Sequence, residues 1–338
     1  LFEEDQKSEY RVVLLEQFLQ APGPIIDVRA PCEFQQGHIP GAVSVPLFDD
    51  AGRAHIGTIY KRQGRQAAIM AGLELVGPCL VRLAKTIQEH CGNDGCCRVT
   101  CFRGGMRSKS IQWLCQFVGL KTVRLDGGYK IFRREVLQSF EKPFSFVVIG
   151  GATGSGKTQA LRELCNQGYQ TLDFEALANH RGSAFGLLPG TSQPSTEHFE
   201  NMIASCLWKM NASLPIFVED ESRLVGACAI PKGIFERMDS APLLWLEVDR
   251  EMRQKRILEE YGCFPKEWLQ EKAAKLHKKL GGQRVKSIIE AIERGDLVYA
   301  SSLLLEYYDT AYLHSKERRQ RETTVVTQKS LLEAVSRF

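Results

Sequence analysis

Two glycine-rich loops of different chemistry lie fifty residues apart in this chain. Cys101-Phe102-Arg103-Gly104-Gly105-Met106-Arg107-Ser108 carries a nucleophilic sulfur, and Gly151-Ala152-Thr153-Gly154-Ser155-Gly156-Lys157-Thr158 carries none. A thiol set in an anion-binding loop points to transfer of a sulfur, selenium or phosphoryl group. The G-x4-G-K-[ST] pattern points to a diphosphate or nucleotide co-substrate. A chain holding both is expected to be a two-step enzyme.

In the first loop Cys101 is the candidate nucleophile, because amides at a helix N-terminus and nearby guanidinium groups stabilise a thiolate. Gly104 and Gly105 let consecutive N–H groups converge on an anion. Arg103 and Arg107 supply charge-assisted hydrogen bonds to its oxygens, and Ser108 completes the anion-binding set. The plain alternative is a buried structural cysteine beside surface arginines. In the second loop the amides of Gly151, Gly154, Ser155 and Gly156 are expected to surround phosphates, with Lys157 neutralising them and Thr158 reaching Mg2+. A cradle for two linked phosphates fits any diphosphate, so ATP is not implied. Glu219, Asp220 and Glu221 end an apolar run and could assist a metal through water; a solvated strand end is the alternative.

The flanking segments must place these loops. Pro24–Ile26 reads as a short strand, Gly37–Ala42 as a turn-rich entry to Val43-Ser44-Val45-Pro46, and Leu80–His90 as a helix. Arg98-Val99-Thr100 is a β-prone run that delivers Cys101 into its loop, followed by a helix over Ser108–Phe117. Val123–Leu125 is a further strand, Asp126–Gly128 a turn, Tyr129–Phe140 a closing helix and Glu141-Lys142-Pro143 a linker. The pattern then restarts: Phe144–Ile149 reads as a buried strand feeding the second loop and a helix over Lys157–Cys165. Pro215–Val218 and Leu243–Leu246 are two more strands, each ending in acidic residues, and the chain from about Glu251 to Phe338 reads as mostly helical. Strands separated by helices imply parallel sheets with functional groups at the carboxyl edge. The expected fold class is therefore α/β in two domains, residues 1–140 and 144–338.

Composition bounds the alternatives. With 338 residues, 43% hydrophobic and 25% charged, the chain has the make-up of an ordinary globular protein with two cores. The apolar runs noted, Phe144–Ile149 and Ala241–Leu246, stop well short of the roughly 18 residues of a membrane span, so no membrane partner is expected. The acidic Leu-Phe-Glu-Glu-Asp opening is unlike a signal peptide, which favours a cytoplasmic location. Eleven cysteines in irregular spacing argue for reduced thiols rather than a disulfide scaffold, and Cys96-Cys97 with Cys101 lacks the second pair a zinc site needs. A net charge of +4 permits a nucleic-acid partner only where the charge is clustered. Lys266–Lys286 is such a cluster. In it Lys272, Lys275, Lys278, Lys279 and Arg284 are candidate phosphate contacts and Trp268 a stacking platform, unless the stretch is simply a solvated helix face. Arg318, Arg319 and Arg321 form a second basic group.

Asp27-Val28-Arg29, Glu33-Phe34, the sextet Gly37-His38-Ile39-Pro40-Gly41-Ala42 and the Cys101 loop resemble the rhodanese domain over roughly residues 8–138. The resemblance implies scaffold roles for Asp27 and His38, which pin loops in that family. Many sulfurtransferases place the arginine one residue nearer the cysteine; the longer loop here resembles the phosphatases that share the fold and leaves room for a tetrahedral anion. The Cys101 loop, the P-loop, His180–Gly186, Gln193-Pro194-Ser195, Glu219–Arg223 and Tyr307-Tyr308-Asp309 together look like bacterial tRNA 2-selenouridine synthases over nearly the whole chain. Thr196 stands where that family is expected to have glutamine.

That resemblance implies conversion of wobble 2-thiouridine in tRNA to 2-selenouridine through an S-geranyl intermediate, with geranyl diphosphate and selenophosphate as co-substrates and no tightly bound cofactor beyond an optional Mg2+. It also implies tRNA as partner, admits a selenophosphate-supplying enzyme as another, and makes Arg181 and Ser183 members of a ligand loop. Arg103, Arg107 and the loop amides would bind selenophosphate, while Cys101 either carries selenium as a perselenide or assists its delivery. Two other readings stay open: an ATP-dependent persulfide sulfurtransferase acting on RNA, and a phosphate-responsive regulator with a nucleotide switch.

Overall fold

The computed structural model describes residues 11–183, 185–318 and 322–338, the side chains of 311–318 excepted. The side chains of the basic group Arg318, Arg319 and Arg321 thus lie outside the described residues. The chain divides into two compact units: residues through Ser139 with Glu200–Ser205, and Phe140–Phe199 with Cys206 onward.

The first unit is built on β1 (Arg11–Val13), β2 (Ile25–Asp27), β3 (Ala42–Ser44), β4 (Cys96–Thr100) and β5 (Lys121–Leu125). They form one parallel sheet in the order β1-β5-β4-β2-β3. The strands are short and apolar because both faces are covered: Ile26, Val28, Val99, Ile87, Ile111 and Leu114 make up a core between sheet and helices. β1 was not legible in the sequence, and the helices after the loop and the turn begin at Met106 and Gly128, slightly earlier than expected. One stretch departs from expectation. Arg65–Asp94 is helical, long and apolar enough by length and composition to cross a membrane. It is two α-helices, Arg65–Val76 and Leu80–Cys91, separated by a single 3-10 turn at Gly77–Cys79, and the second buries Leu83, Ala84, Ile87 and Cys91 in the domain core.

Asp27 and Arg29, both fully buried, anchor the end of β2. The guanidinium donates to both Asp27 oxygens at 2.7–3.0 Å and to the Gly37 carbonyl at 2.7 Å, and it lies 3.8 Å from the Tyr129 ring centroid. His38 stacks on Phe34 at 3.7 Å, with Nδ1 2.9 Å from the Phe34 carbonyl.

The second unit centres on β6 (Phe146–Gly151), joined by β7 (Thr171–Leu172), β8 (Ile216–Glu219), a small hairpin of β9 (Leu224–Val225) and β10 (Cys228–Ala229), then β11 (Leu243–Leu246) and β12 (Thr323–Val326). The main sheet is parallel in the order β12-β11-β6-β8-β7, so β6 and its loop sit at the middle. The region after Glu251 is mostly helical as expected, but β12 corrects that reading by pairing with β11 at the sheet edge. Helices Lys266–Ala274, Gly282–Glu293 and Leu297–Arg318 pack together through Leu269, Ala273, Ile288, Ala291, Ile292 and Ala300, with Phe185 in the same cluster.

Removing one partner of a buried ion pair strands the other charge, at a cost of about 3–5 kcal/mol. Asp27→Ala is therefore expected to destabilise the first unit by that order, read as a lowered urea midpoint against the unchanged chain.

Candidate functional site

Cys101 directly follows β4, and the helix Met106–Phe117 starts five residues later. Its thiol is 2% exposed and donates to Ser108 Oγ at 3.1 Å, while that hydroxyl donates to the Gly105 carbonyl at 3.2 Å. The loop is held by its carbonyl groups. Tyr129 N–H and Lys130 N–H donate to the Cys101 and Phe102 carbonyls at 2.9 Å, and Arg124 donates to the Gly104 carbonyl. Gly104 has φ +62°, and a Cβ there would lie 2.7 Å from the Leu125 carbonyl oxygen, so only glycine fits. Arg103 is exposed. Arg107 is engaged by Glu33 at 2.7 Å, with Arg53 at 3.6 Å on the same carboxylate. Burial works to raise the Glu33 carboxyl, but the Arg107 hydrogen bond and charge prevail and hold it below the ordinary range.

Behind the loop, Cys97 Sγ lies 4.0 Å from Cys115 Sγ and 3.6 Å from Thr122 Oγ1. Burial, followed by the neighbouring Cys97, pushes the Cys91 thiol up to about 12, so it remains a thiol at neutral pH. The eleven cysteines are all free.

The P-loop joins β6 to the helix Lys157–Asn166. Gly151, Gly154 and Gly156 have φ of +155°, +78° and +85°. Lys157 Nζ donates to the Gly151 carbonyl at 3.1 Å. Two arginines of the helix Arg250–Tyr261, neither flagged by the sequence, hold the loop carbonyls. Arg253 donates to Thr153 at 3.2 Å and pairs with both oxygens of Asp309 at 2.7 and 2.8 Å, while Arg256 donates to Ser155 at 2.6 Å and Gly154 at 3.4 Å. Ser155 Oγ is buried with no hydrogen-bond partner among the described residues.

A cavity of about 720 Å3 opens from this loop. Its lining includes Gly154, Gly156, Lys157, Thr158 and Arg256, and with them the apolar Ile257, Leu269, Ile292, Leu297, Leu304 and Leu305. Arg181 and Ser183 line it as well. Next to them the His180 Nδ1 is buried without a partner, and burial, then Lys272, holds its imidazole below the usual value.

The acidic group differs from expectation. The buried Glu219 and Glu221 meet the half-buried Glu175 from the helix Phe174–Ala178, one oxygen of each lying within 4.8 Å of the others. Asp220, partly exposed, is not a member. Glu175 was missed because it comes from a separate element with no motif around it. Burial, then mutual repulsion, raises all three, with Lys157 opposing: Glu175 and Glu219 to about 8, Glu221 to about 7. An all-oxygen donor set with one buried, unpartnered oxygen, Glu219 Oε1, fits a hard divalent cation.

The basic stretch is partly corrected. Lys272 is 8% exposed, its Nζ 5.3 Å from the Trp268 ring centroid, and Trp268 packs against Phe264 and Phe185 in the helical core. Lys272 presents no surface to a partner, because that helix turns Leu269, Lys272 and Ala273 inward, whereas Trp268 is half-buried. Lys275, Lys278 and Lys279 are exposed, Lys275 pairing with Glu271 at 2.7 Å, and Arg284 pairs with Glu306 at 3.3 Å.

A thiol-bearing anion loop on one parallel sheet and a P-loop on another define a rhodanese-like domain joined in one chain to a P-loop domain. The rhodanese-like domain model matches residues 12–135, and the model described as the tRNA 2-selenouridine synthase AAA domain matches 144–337. Proteins named tRNA 2-selenouridine synthase are similar along most of the chain. The one from Pseudomonas fluorescens (strain Pf0-1) is 37% identical over 92% of each chain, and that from Pseudomonas syringae pv. syringae (strain B728a) is 36% identical over 93% of each. The one from Pseudomonas aeruginosa (strain LESB58) is 36% identical, covering 94% of this chain and 93% of its own. The chain belongs to the tRNA 2-selenouridine synthase family and is an enzyme of the transferase type.

The raised carboxyls set a pH dependence. The folded chain holds these protons to higher pH than the unfolded one, so their stabilising effect is full below the ordinary carboxylate range and is lost as pH rises towards about 8. With chelator present, Glu175→Gln is expected to flatten the fall in stability between about pH 5 and 8, measured as urea midpoints across that range.

Proposed function

We propose that this enzyme replaces the sulfur of wobble 2-thiouridine in tRNA by selenium in two steps, S-geranylation and then selenium transfer. The observation that carries the reading is the cavity in which a diphosphate cradle opens directly onto a hydrocarbon-lined wall. Such a chamber suits a phosphorylated lipid chain: burying ten carbons at about 0.8 kcal/mol each contributes several kcal/mol of binding. In the first step the thiocarbonyl sulfur attacks C1 of the geranyl group, the C1–O bond breaks with diphosphate leaving, and the base loses its N3 proton. Gly151, Gly154, Ser155, Gly156, Lys157 and Thr158 hold the diphosphate, and the charge of Lys157 stabilises it as it departs. Alkylation turns a poor leaving group into a thiol, so the selenium of selenophosphate can add at C2 and expel geranyl thiol, after which water cleaves the Se–P bond and inorganic phosphate leaves.

The Cys101 loop is assigned to selenophosphate. Arg103, Arg107, Ser108 and the amides of Gly104 and Gly105 bind its oxygens, and Cys101 assists delivery of the selenium, which stays at the selenide level throughout. Arg181 and Ser183 act as a ligand loop at the geranyl site, consistent with their place in the cavity lining. The exposed Lys275, Lys278 and Lys279, with Arg284, grip tRNA phosphates.

Incubating 2-thiouridine tRNA with the chain, geranyl diphosphate and selenophosphate, without ATP, should give S-geranyl and 2-seleno nucleosides by mass spectrometry. Lys157→Ala should lower S-geranylation by about two orders of magnitude, and Cys101→Ser should spare that step while blocking selenium incorporation. Sulfur transfer appearing only with ATP and a persulfide donor would sink the reading. Separately, joint replacement of Lys278 and Lys279 by Ala should weaken tRNA binding and reduce its salt slope by about two, read by filter binding at several salt concentrations.

A further inference from the structure

The helix Asp50–Gln63 runs for 14 residues in the first unit and buries none of them. A surface helix ordinarily turns an apolar stripe to the core; here the aliphatic Ile56 and Ile59 are only half-buried. The groups left outside are of one charge. Between Asp50 and Glu74 the chain has no acidic residue, while Arg53, Lys61, Arg62 and Arg65 are all exposed. Of these four, among the described residues, Arg53 alone meets a carboxylate, that of Glu33 at 3.6 Å. Two contacts tie this region to the Cys101 loop. Arg53 shares Glu33 with Arg107 of the loop, and Arg65, which opens the helix Arg65–Val76, places Nη2 3.7 Å from the Met106 sulfur.

Tyr60 follows Arg53 by seven residues, close to two helical turns, so the two share one face about 10 Å apart along the axis. The Tyr60 ring is 59% exposed. Gly57 lies between them, exposed, with open space where a side chain would stand. The exposed Met70, Leu73 and Leu75, which would suit a lipid or protein contact, belong to the following helix and not to this face. We propose that Arg53, Tyr60 and Lys61, with Arg65 beside the loop, hold unpaired nucleotides of the RNA substrate: Tyr60 stacks on a base and the cations take the flanking phosphates. Unpaired RNA has both features that the face fits, a π surface on each base and a negative charge at each backbone phosphate. A duplex keeps its bases stacked inside and offers the charge alone. The contacts with Met106 and with the Glu33 partner of Arg107 put this grip next to the thiol loop, where nucleotides adjoining the reacting base must be held.

The inference rests on the RNA substrate of the proposed function, and its test is binding without chemistry. The full chain is titrated into a fluorescent RNA hairpin whose unpaired loop carries plain uridine, and in parallel into a fully paired duplex of equal length, with anisotropy read at several salt concentrations. Tyr60→Leu keeps apolar bulk but removes the ring, and should weaken hairpin binding about fivefold or more. Tyr60→Phe should stay within about twofold of wild type, and duplex binding should change by less than about twofold in both. Joint replacement of Arg53 and Lys61 by Ala should lower the salt slope for the hairpin by about one to two. A check on the wild-type chain needs no variant to fold: under ultraviolet light, a hairpin with iodouridine in its loop should crosslink to Tyr60. Equal hairpin binding by Tyr60→Leu and wild type, equal losses for hairpin and duplex, or crosslinks only outside Asp50–Val76 would overturn the assignment. Normal products in the nucleoside assay beside any of those results would leave the proposed reaction standing, and absence of products would leave these binding measurements untouched.

Discussion

Both anion loops are gripped by their carbonyl oxygens, and the rest of each domain is arranged around that grip. A peptide unit whose carbonyl is tied down on one side presents its amide to the other. In the first loop the carbonyls of Cys101 and Phe102 accept from the first turn of the helix Gly128–Ser139, and that of Gly104 accepts from Arg124 on β5. In the second, Arg253 and Arg256 take the carbonyls of Thr153, Gly154 and Ser155. The two domains reach the same end by different means, helix amides with one guanidinium in the first and two guanidinium groups in the second. The grip demands close approach: a Cβ at Gly128 would collide with the Cys101 carbonyl, and one at Gly154 would sit 2.6 Å from the Arg253 carbonyl oxygen. Arg253 is in turn fixed by the bidentate Asp309, so the helix Leu297–Arg318 reports on the shape of a loop some 150 residues away in sequence.

This dependence explains what could be read in the sequence and what could not. The two loops were legible because their chemistry is contiguous: eight residues carry the thiol or lysine, the glycines and the following helix. Strands β2, β4, β6, β8 and β11 were legible to within two residues because parallel strands covered on both faces are short apolar runs. Glu175, Arg253 and Arg256 were invisible, since each acts through a contact made only when distant elements meet. Lys272 misled for a related reason. A count of charges along a helix does not say which face is turned inward, and Lys272 sits one residue before the buried Ala273 and three after the buried Leu269. β12 escaped because four residues, Thr323–Val326, gain strand geometry from pairing with β11 rather than from any periodicity of their own.

The cavity in the second domain joins two environments that are rarely compatible. Its polar end gathers Lys157, Arg256 and three carboxyls, and its far wall is aliphatic. A nucleotide would present a polar, hydrogen-bonding base to that wall, whereas a prenyl chain presents only hydrocarbon. The helices that supply the wall, Lys266–Ala274, Gly282–Glu293 and Leu297–Arg318, also include the partner that fixes Arg253. Lining the cavity with hydrocarbon and fixing the arginine that shapes the P-loop are thus tasks of one helical cluster, which on the proposed reading would couple recognition of the prenyl chain to that of the diphosphate.

In the first domain the competition is over one guanidinium. Arg107 stands in the anion loop by sequence, yet its side chain is committed to Glu33, which also accepts from the Ala30 amide and is approached by Arg53. An incoming tetrahedral anion must therefore offer Arg107 more than a half-buried carboxylate does. A monoanion presenting one oxygen would not displace a partner held at 2.7 Å, whereas a multiply charged phosphate ester or thio- or selenophosphate presents several oxygens and a larger charge. On the selenophosphate assignment proposed above, Glu33 would act as a filter. It would keep Arg107 occupied towards weak anions, while Cys101 stays covered and hydrogen-bonded to Ser108. On that assignment the longer loop and this ion pair act together, both favouring a ligand with the size and charge of a substituted phosphate over a bare sulfur donor.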